Sequence, residues 1–318
     1  MFKPAKAPAV LTITVNPALD IAALTDRIEP ARKLRCSDVR QDPGGGGINV
    51  ARALTRLGAP CQALFPVGGP TGARLRQLVE AEGVVCLALP IAGDTREGLT
   101  VTERATGRQY RFVLPGPPLR ADEGRALVAR IEQARPRPRY VIASGSLPPG
   151  VGDDFFVTLA KAAAAVGARF VLDSSGPALG AALAHGVHIV KPNLRELEDL
   201  TGCPLPTRRA WEAAACRLVE DGKADIVALT LGADGAFLAM GDGRLRAGGL
   251  AVATQSAVGA GDSFLAALVH RLARGDGPET ALRVAIAAGA AALMTPGTEL
   301  FEVAEIDRLA PKVRIEAA

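Results

Sequence analysis

Apolar positions change their spacing along this chain in a regular rhythm, and the rhythm predicts the elements. Val10 to Val15 is an apolar, β-branched run stopped by Asn16-Pro17, which reads as a strand ended by a turn. Ile48 to Leu57 spaces its apolar residues as one face of a helix and ends at Gly58, a C-cap signal. Gln62 to Val67 is strand-like again, and Leu75 to Ala81 is helical and stops at Gly83. The alternation resumes with a strand at Tyr140 to Ala143 and a helix over Phe155 to Val166. Strands at Phe170 to Leu172 and Val187 to Val190, a helix at Trp211 to Val219 and a strand at Ile226 to Thr230 follow. Strands separated by helices in this way predict an α/β fold, a mostly parallel central sheet with helices on both faces.

Two stretches depart from this rhythm. Residues 21–41 are charged and turn-rich. From Leu87 to Leu114 the pattern becomes period-two, with Gly98 to Thr102 and Gln109 to Leu114 flanking an Ala105-Thr106-Gly107 turn. Together, at about 21–43 and 87–115, they predict a small β lid inserted in an α/β domain spanning 8–318. Asp262 to Leu272 and Pro278 to Met294 read as Ala-rich helices.

Composition narrows the class. The chain has 318 residues with 48% hydrophobic but only 4% aromatic, so the core must be built from Ala, Val, Leu and Ile. The formal net charge of +4 is spread along the chain, which suits a small anionic ligand and gives little support to nucleic acid. Five cysteines without a CxxC pattern read as reduced thiols. The apolar run Val284 to Met294 is far shorter than the ~20 residues of a membrane span. The expectation is a soluble, cytoplasmic protein with no membrane partner. His185 and His188 have no third ligand nearby and read as structural, and Trp211 reads as core.

Two glycine-rich segments carry chemistry. Gly44 to Gly47 opens the helix beginning near Ile48, where the missing Cβ atoms let the backbone approach a ligand and the helix start offers free N–H donors. The dinucleotide pattern G-x-G-x-x-G fails here, and the Gly222-Lys223 pair does not continue as a phosphate-binding P-loop. Gly259-Ala260-Gly261-Asp262 opens the first Ala-rich helix and can form an anion nest beside a carboxylate. Asp262 there reads equally as a general base or as a helix N-cap.

With Lys33-Leu34-Arg35-Cys36, Pro43 to Arg52, Ser144 to Gly150, Lys191 to Glu196 and Val258 to Ser263 in this order, the chain resembles the PfkB-type sugar kinases of the ribokinase-like superfamily, and the phosphofructokinases among them most. The resemblance runs from Thr12 to about 298. It implies a ribokinase-like three-layer α/β/α domain with a β lid that pairs across a homodimer, with tetramers as a further possibility. It also implies ATP as co-substrate with Mg²⁺. Asp262 then matches the base that deprotonates the accepting hydroxyl, with Gly259, Ala260 and Gly261 as anion hole. Asp20, Gly45, Gly46 and Asn49 match sugar contacts, and Ser144 follows a strand where ligands collect in such sheets. Lys33, Arg35 and Arg96 match groups that meet a phosphate already on the sugar; for Arg35 a solvated lid charge is an equal reading. Lys191, Asn193, Thr230, Gly232 and Gly235 match the nucleotide site, and Asn193 with Glu196 the N-x-x-E signature that places Mg²⁺. Ser256, Val258, Ala292, Thr295 and Gly297 match a backbone K⁺ site.

Three departures stand out against relatives of this type. Ser256-Ala257 replaces Asp-Thr, Gly98 replaces Asn, and Glu299 replaces Arg. The implied reaction is ATP-dependent phosphorylation of D-fructose 6-phosphate at its 1-hydroxyl. Tagatose-6-phosphate kinase and 1-phosphofructokinase are the alternatives within the family. A catalytically inactive sugar-phosphate sensor is the alternative outside catalysis.

Overall fold

The computed structural model describes residues 10–297 and 299–318. In chain order the strands and helices begin with β1 (Val10–Ile13), β2 (Ala18–Thr25), β3 (Ser37–Gly44), α1 (Gly46–Arg56), β4 (Cys61–Val67), α2 (Gly69–Ala81) and β5 (Val85–Pro90). The middle of the chain forms β6 (Arg96–Glu103), β7 (Gln109–Val113), α3 (Ala121–Gln133), β8 (Tyr140–Ser144), α4 (Phe155–Ala165), β9 (Arg169–Asp173) and α5 (Gly176–His185). It continues as β10 (Val187–Val190), α6 (Leu194–Thr201), α7 (Arg208–Glu220), β11 (Ala224–Thr230), β12 (Ala236–Met240) and β13 (Gly243–Ala247). The last elements are α8 (Ala260–Ala273), α9 (Pro278–Leu293), α10 (Val303–Leu309) and β14 (Ile315–Ala317).

Among the described residues, ten strands form the main sheet in the order β14-β13-β12-β11-β10-β9-β8-β1-β4-β5. Pairing is parallel from β11 to β5 and antiparallel from β11 outward to β14. The helices divide between the two faces, as period-two strands require: Tyr140 and Ile142 face the layer of α1, α2, α8 and α9, while Val141 and Ala143 face α3, α4, α5 and α7. Ala266, Ala267, Ala287 and Ala288 of α8 and α9 are fully buried and let these helices lie close together, which is how a chain poor in aromatics fills its core.

A second sheet, β3-β2-β6-β7, forms the lid. Its eight-residue parallel pairing joins β2 and β6, which β3, α1, β4, α2 and β5 separate in sequence. The lid segments differ from their sequence-based bounds. Residues 87–90 belong to β5 of the main sheet, with Leu64 opposite Leu87, so the second lid segment starts only at Arg96, after the Gly93 turn. The first starts at Ala18, directly beyond Asn16-Pro17, because β1 ends at Ile13 and the bend at Val15–Asn16 redirects the chain into β2.

The antiparallel edge was not visible in the spacing of apolar residues. β12 and β13 are short strands joined by the Gly241-Asp242 turn, a two-residue hairpin connection. All five cysteines are free. His188 Nδ1–H donates to Asp225 Oδ2 at 2.7 Å, a structural contact beside Tyr140. Among the described residues no helix is long and apolar enough to cross a membrane.

Candidate active site

The carboxyl ends of β1, β8, β9, β10 and β11 converge on one cleft, the place where open α/β sheets collect their ligands. The start of α1 is bound tightly to two of these ends. Ile48 N–H donates to Thr14 Oγ1 at 2.8 Å. A Cβ on Gly46 would fall on the Ser144 hydroxyl, and one on Gly47 on the Ile13 carbonyl. Gly45 turns the chain into the helix at φ 118, a conformation strained for any other residue.

α8 approaches the same point from the opposite side. Its N-cap is Gly259, in a left-handed conformation, and Asp262 is the third residue of the helix; Asp262 therefore does not cap it. Asn49 Nδ2 donates to Asp262 Oδ2 at 3.0 Å, and Ser144 Oγ lies 3.5 Å from Asp262 Oδ1. Burial, reinforced by the nearby Asp173 carboxylate, pushes the Asp262 acid up to about 6, while the Asn49 hydrogen bond, Lys191 and Ser144 pull the other way. A carboxylate in this range, beside the free N–H groups of a helix start, can accept a proton from a hydroxyl while those groups face an anion.

A cavity of about 340 Å³ lies between this carboxylate and the lid, lined by Asp20, Gly45, Gly46, Asn49, Arg96, Arg111, Val258 and Gly259 among others. The lid registers decide this grouping, since Ala18 pairs with Arg96 and Asp20 with Gly98. Burial raises the Asp20 acid above its ordinary range, while Arg96 and Arg111 oppose the shift. A Cβ at position 98 would press on the Asp20 carboxylate, so the glycine found there leaves room for that group. Arg96 donates to the carbonyls of Leu114 and Asn16 at 3.3 and 3.2 Å, and its buried Nε has no hydrogen-bond partner. Burial lowers the Arg96 pKa, with Asp20 opposing. Such a half-desolvated guanidinium with a spare donor suits an anion. Arg111, on β7, escaped sequence reasoning because nothing local distinguishes it from a solvated charge on an edge strand. Lys33 and Arg35 stand on the exposed turn between β2 and β3 and do not line the cavity of their own chain.

On the other side of Asp262, Lys191 is buried and its Nζ lies 3.0 Å from Asp173 Oδ1. Burial works against the Lys191 charge, but Asp173, Asp262 and Glu196 outweigh it and hold its pKa above the ordinary lysine value. Asp173 ends β9 and was not singled out in the sequence, where nothing distinguishes it from any strand-terminal aspartate. Asn193 and Glu196 form a reciprocal capping box on α6: Glu196 N–H donates to Asn193 Oδ1 and Asn193 N–H to Glu196 Oε2, both at 2.9 Å. Burial raises the Glu196 acid. The Asn193 amide oxygen expected on Mg²⁺ is thus engaged within the cap. The hard anionic oxygen of the kind Mg²⁺ takes here is the Glu196 carboxylate, since Asp173 is already paired with Lys191.

Thr230 bridges to Asn193 as a parallel β-bridge and leads into a single helical turn over Gly232–Asp234. With Asn193 they line an open cavity of about 620 Å³ that also meets Trp211, which is half-buried edge-on to Phe237 instead of fully in the core. Gly235, at φ 99, closes the turn against the Ala247 carbonyl.

The expected cation loop is held by internal hydrogen bonds. Ser256 Oγ donates to the Gly297 carbonyl at 2.7 Å and Thr295 Oγ1 to the Ala292 carbonyl at 2.9 Å. The Gly297 carbonyl keeps a second lone pair for a monovalent ion, whereas the Ala292 carbonyl also accepts the Thr295 N–H at 3.4 Å. Glu299 pairs with Arg40 on β3 at 2.8 Å, and Arg40 also donates to the Pro296 carbonyl, which fastens the lid to this loop.

The match to the pfkB family of carbohydrate kinases covers residues 12–304. The chain is 42% identical over 301 residues to ATP-dependent 6-phosphofructokinase isozyme 2 of Mycobacterium tuberculosis, covering 95% of this chain and 88% of that one. It is 36% identical over 266 residues to 1-phosphofructokinase of Xanthomonas campestris, covering 82% and 83%. Phosphofructokinase-2 from Escherichia coli, solved in complex with substrates and products, superposes with a TM-score of 0.91 at 39% identity over 95% of this chain and 98% of that one. The glycine loop, the nest beside Asp262 and the two-sheet architecture thus come with a family: the chain belongs to the pfkB carbohydrate kinases, with their ribokinase-like fold, and is an ATP-dependent sugar kinase.

Proposed function

We infer that the chain transfers the γ-phosphoryl group of ATP to the 1-hydroxyl of D-fructose 6-phosphate, giving fructose 1,6-bisphosphate and ADP. One observation carries this reading. The same cavity offers the half-buried Asp262 carboxylate at one end and two arginines, Arg96 and Arg111, toward the lid. A neutral sugar needs no such cations; a sugar already bearing a phosphate does.

In this reading Asp262 Oδ accepts the proton as the 1-oxygen attacks phosphorus, and the bond between phosphorus and the bridging oxygen of ADP breaks with its electron pair going to ADP. The N–H groups at Gly259, Ala260 and Gly261 face the charge on the transferred group. Asp20 accepts hydrogen bonds from ring hydroxyls, with Gly45, Gly46, Asn49 and Ser144 completing the sugar contacts. Lys191, Thr230, Gly232 and Gly235 flank the nucleotide. Mg²⁺, held at Glu196, would neutralise charge on the nucleotide phosphates. K⁺ at the carbonyls of Ser256, Val258, Ala292, Thr295 and Gly297 would steady the loop before the nest.

Exposed Val39, Leu99, Phe112 and Val113 on the lid support a homodimer through this sheet. Lys33 and Arg35 would meet a phosphate only in such an assembly, since within one chain they stand apart from the cavity.

A coupled ADP-release assay over fructose 6-phosphate, fructose 1-phosphate, tagatose 6-phosphate and fructose tests the assignment. The highest kcat/KM is expected with fructose 6-phosphate. Preference for another sugar phosphate replaces the substrate, and tight fructose 6-phosphate binding without ADP release replaces the kinase reading by a sensor.

A further inference from the structure

Arg52 lies on α1 one turn beyond Asn49, its side chain only 3% exposed. It does not line the sugar cavity. Its Nη1 donates to Asn49 Oδ1 at 3.1 Å. Its Nε and Nη2 converge on Glu82 Oε1 at 2.8 and 2.7 Å. The other Glu82 oxygen faces Arg56, which also donates to the Leu300 carbonyl at 2.7 Å. A continuous polar chain therefore runs from Asp262 through Asn49, Arg52 and Glu82 to Arg56 and the segment before α10.

The chemistry of the groups gives this chain a direction. A carboxamide offers an acceptor at one end and donors at the other, and either end can point either way. A guanidinium only donates. Arg52 beside Asn49 therefore requires the amide oxygen on its own side and turns the NH₂ group onto Asp262. Reversed, the amide would set oxygen against carboxylate oxygen and NH₂ against guanidinium, leaving two buried mismatches.

We propose that Arg52 is a positioning residue for phosphoryl transfer: by fixing Asn49 as a donor it holds Asp262 Oδ2 and leaves Oδ1 to the sugar hydroxyl. The proposal rests on Asp262 being the base. It has a consequence for pH. The groups facing Asp262 are Asp173 from β9, Lys191 from beyond β10, Ser144 from β8 and Asn49 from α1. Among these, Asn49 favours the ionised base only while its NH₂ points at it. Losing this orientation raises the pH at which the base gains its proton.

The test is the pH dependence of kcat at saturating MgATP and fructose 6-phosphate for Arg52→Met, Arg52→Lys and Glu82→Gln. Arg52→Met should move the acid limb upward by about one pH unit, the scale of one lost charge-assisted hydrogen bond, and lower kcat below neutral pH about tenfold. Arg52→Lys keeps one donor and should move the limb less. Glu82→Gln removes the ion pair but not the donor to Asn49, so it should lower the melting temperature and leave the limb in place. In an Asn49→Ala background, Arg52→Met should move the limb no further. An unmoved limb in folded Arg52→Met and Arg52→Lys overturns the proposal, as does a limb that follows Glu82→Gln. If Arg52→Met does not fold, Arg52→Lys decides alone. Near wild-type kcat in Asp262→Asn is a separate failure, of the base assignment itself.

Discussion

Asp262 carries two opposite consequences of one buried proton. A base acts only when unprotonated, so kcat should fall as pH drops through about 6, where burial and Asp173 have pushed this acid. For stability the sign is reversed. The folded state holds the proton more tightly than the unfolded chain, so the contribution is favourable below the ordinary carboxylate range and is lost as pH rises through about 6. Asp262→Asn should therefore raise the melting temperature at pH 8, leave it nearly unchanged at pH 4, and lower kcat by at least ~10²-fold. Calorimetry at the two pH values and a coupled assay read these effects. A variant no more stable than wild type at pH 8 would count against the buried charge. The two arginines facing the sugar cavity allow a second residue-level prediction. A charge-assisted contact to phosphate is worth about 1.5–3 kcal/mol, so Arg96→Ala or Arg111→Ala should raise KM for the sugar phosphate roughly 10- to 150-fold. KM for ATP should hardly move; an unchanged sugar-phosphate KM would remove that arginine from the phosphate site.

Elements set these residues in place, and the join between α1 and β8 is the tightest. A methyl group on Gly46 has nowhere to go but into Ser144. Gly46→Ala should displace the first turn of α1, carry Asn49 away from Asp262, and lower kcat/KM by at least about tenfold while the core of the sheet stays folded. Steady-state kinetics alongside circular dichroism would show it, and wild-type kcat/KM would mean that the loop adjusts freely. Much at this scale was legible beforehand. The strands β1, β4, β8, β9, β10 and β11 announce themselves because parallel strands buried on both faces must be continuously apolar. The edge from β12 to β14 does not, since β12 is only a five-residue apolar run and β13 and β14 carry exposed charged residues that resemble loops. β5 was drawn into the lid because Leu87 to Leu114 alternates throughout, and only pairing with β4 separates its first part. In the site, motifs that sit at helix starts were readable: the glycine loop, the nest and N-x-x-E. Asp173, Arg111 and Arg52 were not, because each acquires its meaning from a neighbour distant in sequence. The capping box formed by Asn193 and Glu196 shows the converse, a motif whose local fold explains part of its spacing without any metal.

The whole molecule divides its labour between two sheets. Asp262, the nest, Lys191, Asp173 and Glu196 all stand on or beside the ten-stranded sheet. Asp20, Arg96, Gly98 and Arg111 stand on the four-stranded one. Arg40 and Glu299 fasten one to the other at the rim. A lid strand shows alternate residues to the cavity, so a change at one inward position of β2, β6 or β7 re-shapes what is admitted and leaves the helix starts beneath it untouched. Inheritance can therefore act on the two sheets separately. Descendants of one ancestral enzyme can exchange one ligand for another through changes at a few lid positions, while the helix starts beneath the lid pass down unaltered.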